Sequence, residues 1–259
     1  MVLQKKKGVK SMRNIRLTIE YDGSRFQGWQ RLGAGESTAN TISGKLCEVL
    51  SRMTGQFPEL FCASRTETGV HAYAQTVNFH TDCTLHTTEI RHYLNRYLPS
   101  DIAVLDVQEV PERFHASLNA KRRTYRYRLS IADVPDVFER KYVYHLFKKP
   151  DVEMMHQAAR LLIGRHDFQR FSSSKKKKGG IKEVFDIDIY QGGEELEITI
   201  CANDFLHNMA RIIVSTLLDV GQGMRPIEDI PRIFSGEETA SDPIDPKGLF
   251  FQGAEYPQE

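Results

Sequence analysis

Asn14-Ile15-Arg16-Leu17-Thr18-Ile19-Glu20-Tyr21 alternates apolar and polar side chains and stops at Asp22-Gly23. Period-two alternation of this kind reads as a strand with one face buried. The elements that follow it decide the fold. Ile42, Leu46, Val49, Leu50 and Met53 fall on one helical face. Strands are expected around 60–64 and 76–80, a helix over 87–97 ending before Pro99, and a strand over 102–110. The second half repeats the order. A strand over 123–130 precedes a helix over 152–163 that ends at Gly164. Strands over 184–190 and 195–201 flank Gly192-Gly193, a helix over about 207–220 stops at Gly221, and a last strand covers 248–255.

Each half therefore reads β-α-β-β-α-β, the order of a ferredoxin-like unit. The class is α+β, with two such units and their mixed sheets expected to face each other across a central cleft. The predicted divisions are a basic N-terminal extension over 1–11, a first unit over 12–112 and a second over 113–259. The halves share a pattern of elements without convincing residue-level similarity.

The 259 residues are 40% hydrophobic and 10% aromatic, which suits a folded core and argues against disorder. No apolar run approaches a membrane span and no signal peptide is visible, so a soluble cytoplasmic protein is expected. Cys47, Cys62, Cys83 and Cys201 show no metal-ligand spacing and no C-x-x-C, and the histidines form no H-E-x-x-H. With no P-loop and no dinucleotide fingerprint either, neither metal nor cofactor is expected. Net charge is only +1, but the basic residues cluster. They gather in the extension, at Lys121-Arg122-Arg123 with Arg126 and Arg128, and at Lys175-Lys176-Lys177-Lys178, while acids concentrate elsewhere. A near-neutral total can hide a basic face suited to nucleic acid.

Arg65-Thr66-Glu67-Thr68-Gly69-Val70-His71-Ala72 resembles the catalytic loop of the tRNA pseudouridine synthase A family. The likeness runs through nearly the whole chain from Met12. It includes Phe26-Gln27-Gly28-Trp29-Gln30, Phe114-His115-Ala116, Tyr125-Arg126-Tyr127, Asp167-Phe168, Asn203 with Phe205-Leu206, Met209 with Arg211, and Gly248-Leu249. The resemblance implies the pseudouridine synthase fold, two ferredoxin-like units around a basic cleft. It implies a homodimer, without cofactor, that isomerises uridine to pseudouridine at positions 38 to 40 of the tRNA anticodon stem-loop. It implies Glu67 as the essential carboxylate, Arg211 as its ion-pair partner, and Tyr125 as the ring that stacks on a flipped uracil. Arg65 would help insert into the RNA or hold the flipped conformation. Thr66, Gly69 and His71 complete the substrate-binding loop, with His71 read as a structural hydrogen-bond former.

This chain departs from the family's pattern at Glu67, where the pattern carries aspartate. One added methylene moves the carboxylate out by about 1.5 Å. A misplacement of about 1 Å can cost on the order of a hundredfold in rate. Ser43, Ser117 and Ser215 also replace family residues. Two functions therefore remain open: a tRNA isomerase, with reduced activity unless the backbone compensates, and an RNA-binding relative that has kept the fold without turnover. A metal-dependent nuclease built on Glu20, Asp22 and Glu67 is a remoter third.

Lys175 to Lys178, followed by Gly179-Gly180, reads as a strongly positive loop for phosphate contact. Each phosphate contact steepens the fall of affinity with salt. Neutralising these four lysines should flatten the salt dependence of tRNA binding, and an unchanged slope would remove the loop from the interface.

Overall fold

β1 (Arg13–Tyr21) has the alternation expected of it: Ile15, Leu17 and Ile19 are fully buried, whereas Arg16 and Thr18 are only half-buried and Glu20 is exposed. In the computed structural model, residues 12–30, 40–174 and 179–257 are described. The basic extension over 1–11 and the loop of Lys175, Lys176, Lys177 and Lys178 lie outside the described residues.

After β1 come α1 (Ile42–Thr54), β2 (Phe61–Cys62), β3 (His71–Thr81), α2 (Thr87–Tyr97) and β4 (Ile102–Val110). The second half supplies β5 (Arg122–Ser130), β6 (Tyr144–His145), α3 (Val152–Leu162), β7 (Gly164–Asp167), β8 (Ile181–Gly192), β9 (Glu195–Ala202), α4 (Met209–Gly221), α5 (Asp229–Ser235) and β10 (Leu249–Glu255). Local chemistry sets several helix ends. Thr41 caps α1 by accepting from the Gly44 N–H, and Gly55 closes it in the left-handed region at φ 75°. Asp151 caps α3 by accepting from the Met154 N–H. α4 is apolar almost all round, with 10 of its 13 residues buried, because protein packs on most of its circumference.

The first half orders its strands β4-β1-β3-β2 and the second β10-β5-β9-β8. With the short β6, which pairs in parallel with β5, and the edge strand β7 beyond β8 left out of the numbering, both read 4-1-3-2 with antiparallel neighbours. The pattern repeat seen in the sequence is thus a repeat of topology. The α+β class and the paired units stand, but the expected pair of facing sheets does not. All ten strands belong to one sheet. β2 has only two residues and pairs with the Val77-Asn78 end of β3, leaving the other end of that edge open. β10 fills it as a parallel neighbour, Phe250 against His71 and Phe251 against Ala72. An unpaired sheet edge is a strand template, and here the second half occupies it.

A single hydrophobic core runs from Ile15 and Leu17 through Phe251 and Tyr127 to Leu217 and Ile233. Among the described residues, no helix is long and apolar enough to cross a membrane. Phe251 is fully buried in the strand that joins the halves. Phe251→Ala should destabilise the fold by about 3–5 kcal/mol, read by urea unfolding, through lost burial and the cavity left behind.

Candidate active site

Between β2 and β3 the chain makes the tight loop 63–70. Neighbouring backbone holds it in place. The Trp29 N–H donates to the Thr66 carbonyl (2.9 Å), the Gly69 N–H to the Phe26 carbonyl (3.3 Å), and the Val70 N–H to the Glu67 carbonyl (3.2 Å). Two glycines permit the close approach. A Cβ on Gly23 would lie 1.9 Å from the Val70 carbonyl oxygen. Gly28, at φ 82°, would place one 2.7 Å from the Thr66 carbonyl oxygen.

A buried polar network supports the loop from below. The Thr66 hydroxyl and the Tyr21 hydroxyl are 2.8 Å apart. Gln75, wholly buried, donates to Tyr21 Oη (3.4 Å) and to the Ser64 carbonyl (2.6 Å). Ser64 Oγ and Tyr125 Oη are 2.7 Å apart. Burial pushes the Tyr21 and Tyr125 hydroxyls well above the ordinary phenol range, and the Glu67 charge adds to both shifts. Both rings therefore stay neutral, each with a proton to share. Tyr125 meets Phe205 edge-on at 4.9 Å and Phe251 at 5.1 Å. Tyr127 is plain core, its hydroxyl donating to the Asp245 carbonyl at 2.6 Å.

The loop forms one wall of a cleft of about 1200 Å³ where the two halves meet. Arg65, Thr66, Glu67, Tyr125 and Arg211 all line it. They come from the loop, from β5 and from α4, so the fold gathers residues far apart in the chain. Arg65 is exposed. Buried Arg123 stitches the walls together through the carbonyls of Ala63, Ser117 and Asn203.

Glu67 and Arg211 do not form the direct pair expected of them: among the described residues, no ion pair within 4.0 Å joins them. Asn208, just ahead of α4, stands between. Its backbone N–H donates to Glu67 Oε1 at 2.8 Å, and its side-chain Oδ1 accepts from Arg211 Nη1 at 2.8 Å. Arg211 Nε donates to the Ile244 carbonyl at 2.6 Å. Burial lowers the Arg211 pKa, and the nearby Glu67 charge opposes that shift. Nothing in the sequence pattern singled out Asn208. The available signal was an asparagine immediately before an apolar helical run, a favoured N-cap position.

Gly69 and His71 lie outside the cleft lining. Gly69 makes the turn at φ 79°. His71 is buried; its Nδ1 accepts from the Gly23 N–H at 3.0 Å, and its Nε2 lies 3.2 Å from the carbonyls of Lys141 and Lys247. This arrangement fits the neutral ring with its proton on Nε2. Asp22, expected beside Glu67 in a nuclease, instead accepts from the Ser24 N–H and the Tyr142 hydroxyl. Among the described residues, no three His, Cys, Asp or Glu gather as a metal-holding group.

Residues 17–119 and 158–257 match the family described as tRNA pseudouridine synthase. The chain belongs to that family. Curated relatives agree over almost the whole length. tRNA pseudouridine synthase A 2 of Bacillus anthracis is 42% identical over 248 residues, spanning 95% of this chain and all of the relative. tRNA pseudouridine synthase A 2 of Bacillus cereus (strain ATCC 14579) is 43% identical over 250 residues, with the same shares covered. That of Clostridium perfringens is 38% identical over 248 residues, again 95% of this chain and all of the relative. Glu67 and Arg211 fall within the two stretches that match the synthase family, and Tyr125 falls between them.

Burial lowers the His71 pKa below its ordinary 6.5, and the nearby Asp22 charge opposes the shift only in part. The unfolded chain then takes up the proton first, so the stability linked to His71 is complete above about pH 6.5 and is lost as pH falls through the lowered folded value. Urea unfolding at about pH 7.5 and about pH 5.5 should show a drop that is smaller in His71→Gln.

Proposed function

We propose that the chain is an isomerase that converts uridine to pseudouridine in the tRNA anticodon stem-loop, at positions 38 to 40, and that it acts in the cytoplasm as a homodimer without a cofactor. The observation that carries this reading is the convergence of Glu67, Tyr125 and Arg211 on one cleft at the junction of the halves. The reaction breaks the bond between ribose C1′ and uracil N1, turns the base, and joins C1′ to C5; the C5 proton is lost and N1 gains one. It is redox-neutral, and the side chains required are a carboxylate, a fixed cation and a stacking surface. A duplex or loop base must be flipped out to reach them. The cleft exceeds the volume of ordinary small-molecule sites, as a flipped nucleotide with its neighbours requires.

In this reading Glu67 acts on the ribose or the base, the Tyr125 ring meets the flipped uracil, and Arg65 at the exposed rim engages the RNA. Lys175 to Lys178 contact phosphate. The dimer rests on the family likeness.

One observation favours the second reading, an RNA binder without turnover: Glu67 and Arg211 are not directly paired. Against it stands the Asn208 N–H, which holds the longer side chain's carboxylate in a defined place. Pseudouridine mapping on tRNA separates the two. The wild type should convert uridines in the anticodon stem-loop, and Glu67→Gln should lose on the order of a hundredfold or more in rate. Wild-type silence with turnover restored by Glu67→Asp would establish the binder.

A further inference from the structure

Asn208 is the one non-glycine residue with positive φ among the described residues, at 62°. Such a backbone is uncommon outside glycine, and asparagine tolerates it better than most residues. Every polar group of Asn208 is engaged. Its carbonyl accepts from the Ile212 N–H at 2.9 Å and starts α4. Its side-chain nitrogen donates to Ser173 Oγ at 2.9 Å. Its Oδ1 holds Arg211 and its N–H holds Glu67. An asparagine in this position usually caps the helix with its side chain, yet this one makes no such bond. The side chain is spent on the cleft instead.

We infer that Asn208 is the positioning residue that fits this site to a glutamate. Its left-handed backbone turns the N–H toward the end of the longer side chain, and its amide oxygen fixes the guanidinium without bringing the two charges together. An aspartate carboxylate would sit about 1.5 Å further back and out of reach of that N–H. Asn208 is thus coupled to the length of residue 67, which a purely architectural residue is not. The kinetic part of this inference rests on the synthase reading above; the contact itself does not.

Two measurements on the full chain test it. In amide spectra across an acid-to-neutral pH series, the residue 208 N–H should shift as Glu67 takes up its proton, and that response should vanish in Glu67→Gln. A 208 amide that ignores pH, or that still responds in Glu67→Gln, overturns the contact whether or not the protein turns over. In pseudouridine formation, Asn208→Ala should lower kcat by roughly 10- to 100-fold with KM for tRNA changed by less than about threefold. In the Glu67→Asp background the same change should cost under about threefold, a clear departure from additivity. Asn208→Gly, which keeps the left-handed backbone and the N–H, should retain more activity than Asn208→Ala and guards against a variant that fails to fold. Equal losses in both backgrounds, or glycine no better than alanine, overturn the coupling. Wild-type silence would defeat the synthase reading and leave the contact to the amide titration.

Discussion

Two residue pairs hold the halves of this molecule in one sheet: Phe250 against His71 and Phe251 against Ala72. The ladder is short because β10 can use only the end of β3 that β2 leaves open. Its position matters more than its length. His71 is the first residue after the loop that carries Glu67, and Phe251 packs against Tyr125. Fixing the ladder therefore fixes the loop that carries Glu67 relative to the strand that carries Tyr125. Arg123 reinforces the junction from the other side. A buried guanidinium is costly unless its donors are met, and here three backbone carbonyls from separate segments meet them.

The loop is held by constraints that do not depend on its own side-chain chemistry. Close packing against Gly23 and Gly28 leaves its backbone little room, and the Thr66-Tyr21-Gln75-Ser64-Tyr125 network ties down its underside through buried hydrogen bonds. Breaking one link in such a network strands a buried partner, so the members act together. Half-buried Glu67 points its side chain away from this anchorage to the opposite wall, where it accepts from the Asn208 N–H.

The sequence made most of the fold legible because alternation and helical faces are local. α2 and β4 have the bounds that the apolar pattern predicts, and β5 differs by one residue. The merger of two sheets into one was not legible. It depends on β2 being too short to cover β3, and a two-residue bridge has no periodicity to read. α5 was missed for a related reason: seven residues give too few turns for a face to emerge. At the site, the motif located Glu67, Tyr125 and Arg211, but it could not separate residues facing the cleft from those behind it. Gly69 and His71 sit within the same eight-residue stretch as Glu67 and lie outside the cleft lining, because the loop turns its back on the cleft after Thr68. Asn208 carried only a helix-cap signal, which says nothing of the contacts its N–H and Oδ1 make in the cleft.

The separation of Glu67 from Arg211 has an electrostatic consequence. A direct pair would neutralise both charges before any substrate arrived, and an arriving uridine would have to compete with that pair for each group. Here neutral amide groups do the orienting. Glu67 is held by a backbone N–H, and Arg211 by an amide oxygen and a carbonyl. The guanidinium has five N–H donors, and only two of its nitrogens are engaged by the described residues. Both charges are then set in place while still able to act on a third party in the cleft. Preorganised groups of this kind need little reorganisation when the reacting charge develops. An aspartate too short to reach Asn208 would have to be aligned by the arginine itself. A carboxylate held by a helix-leading N–H needs no opposite charge to align it.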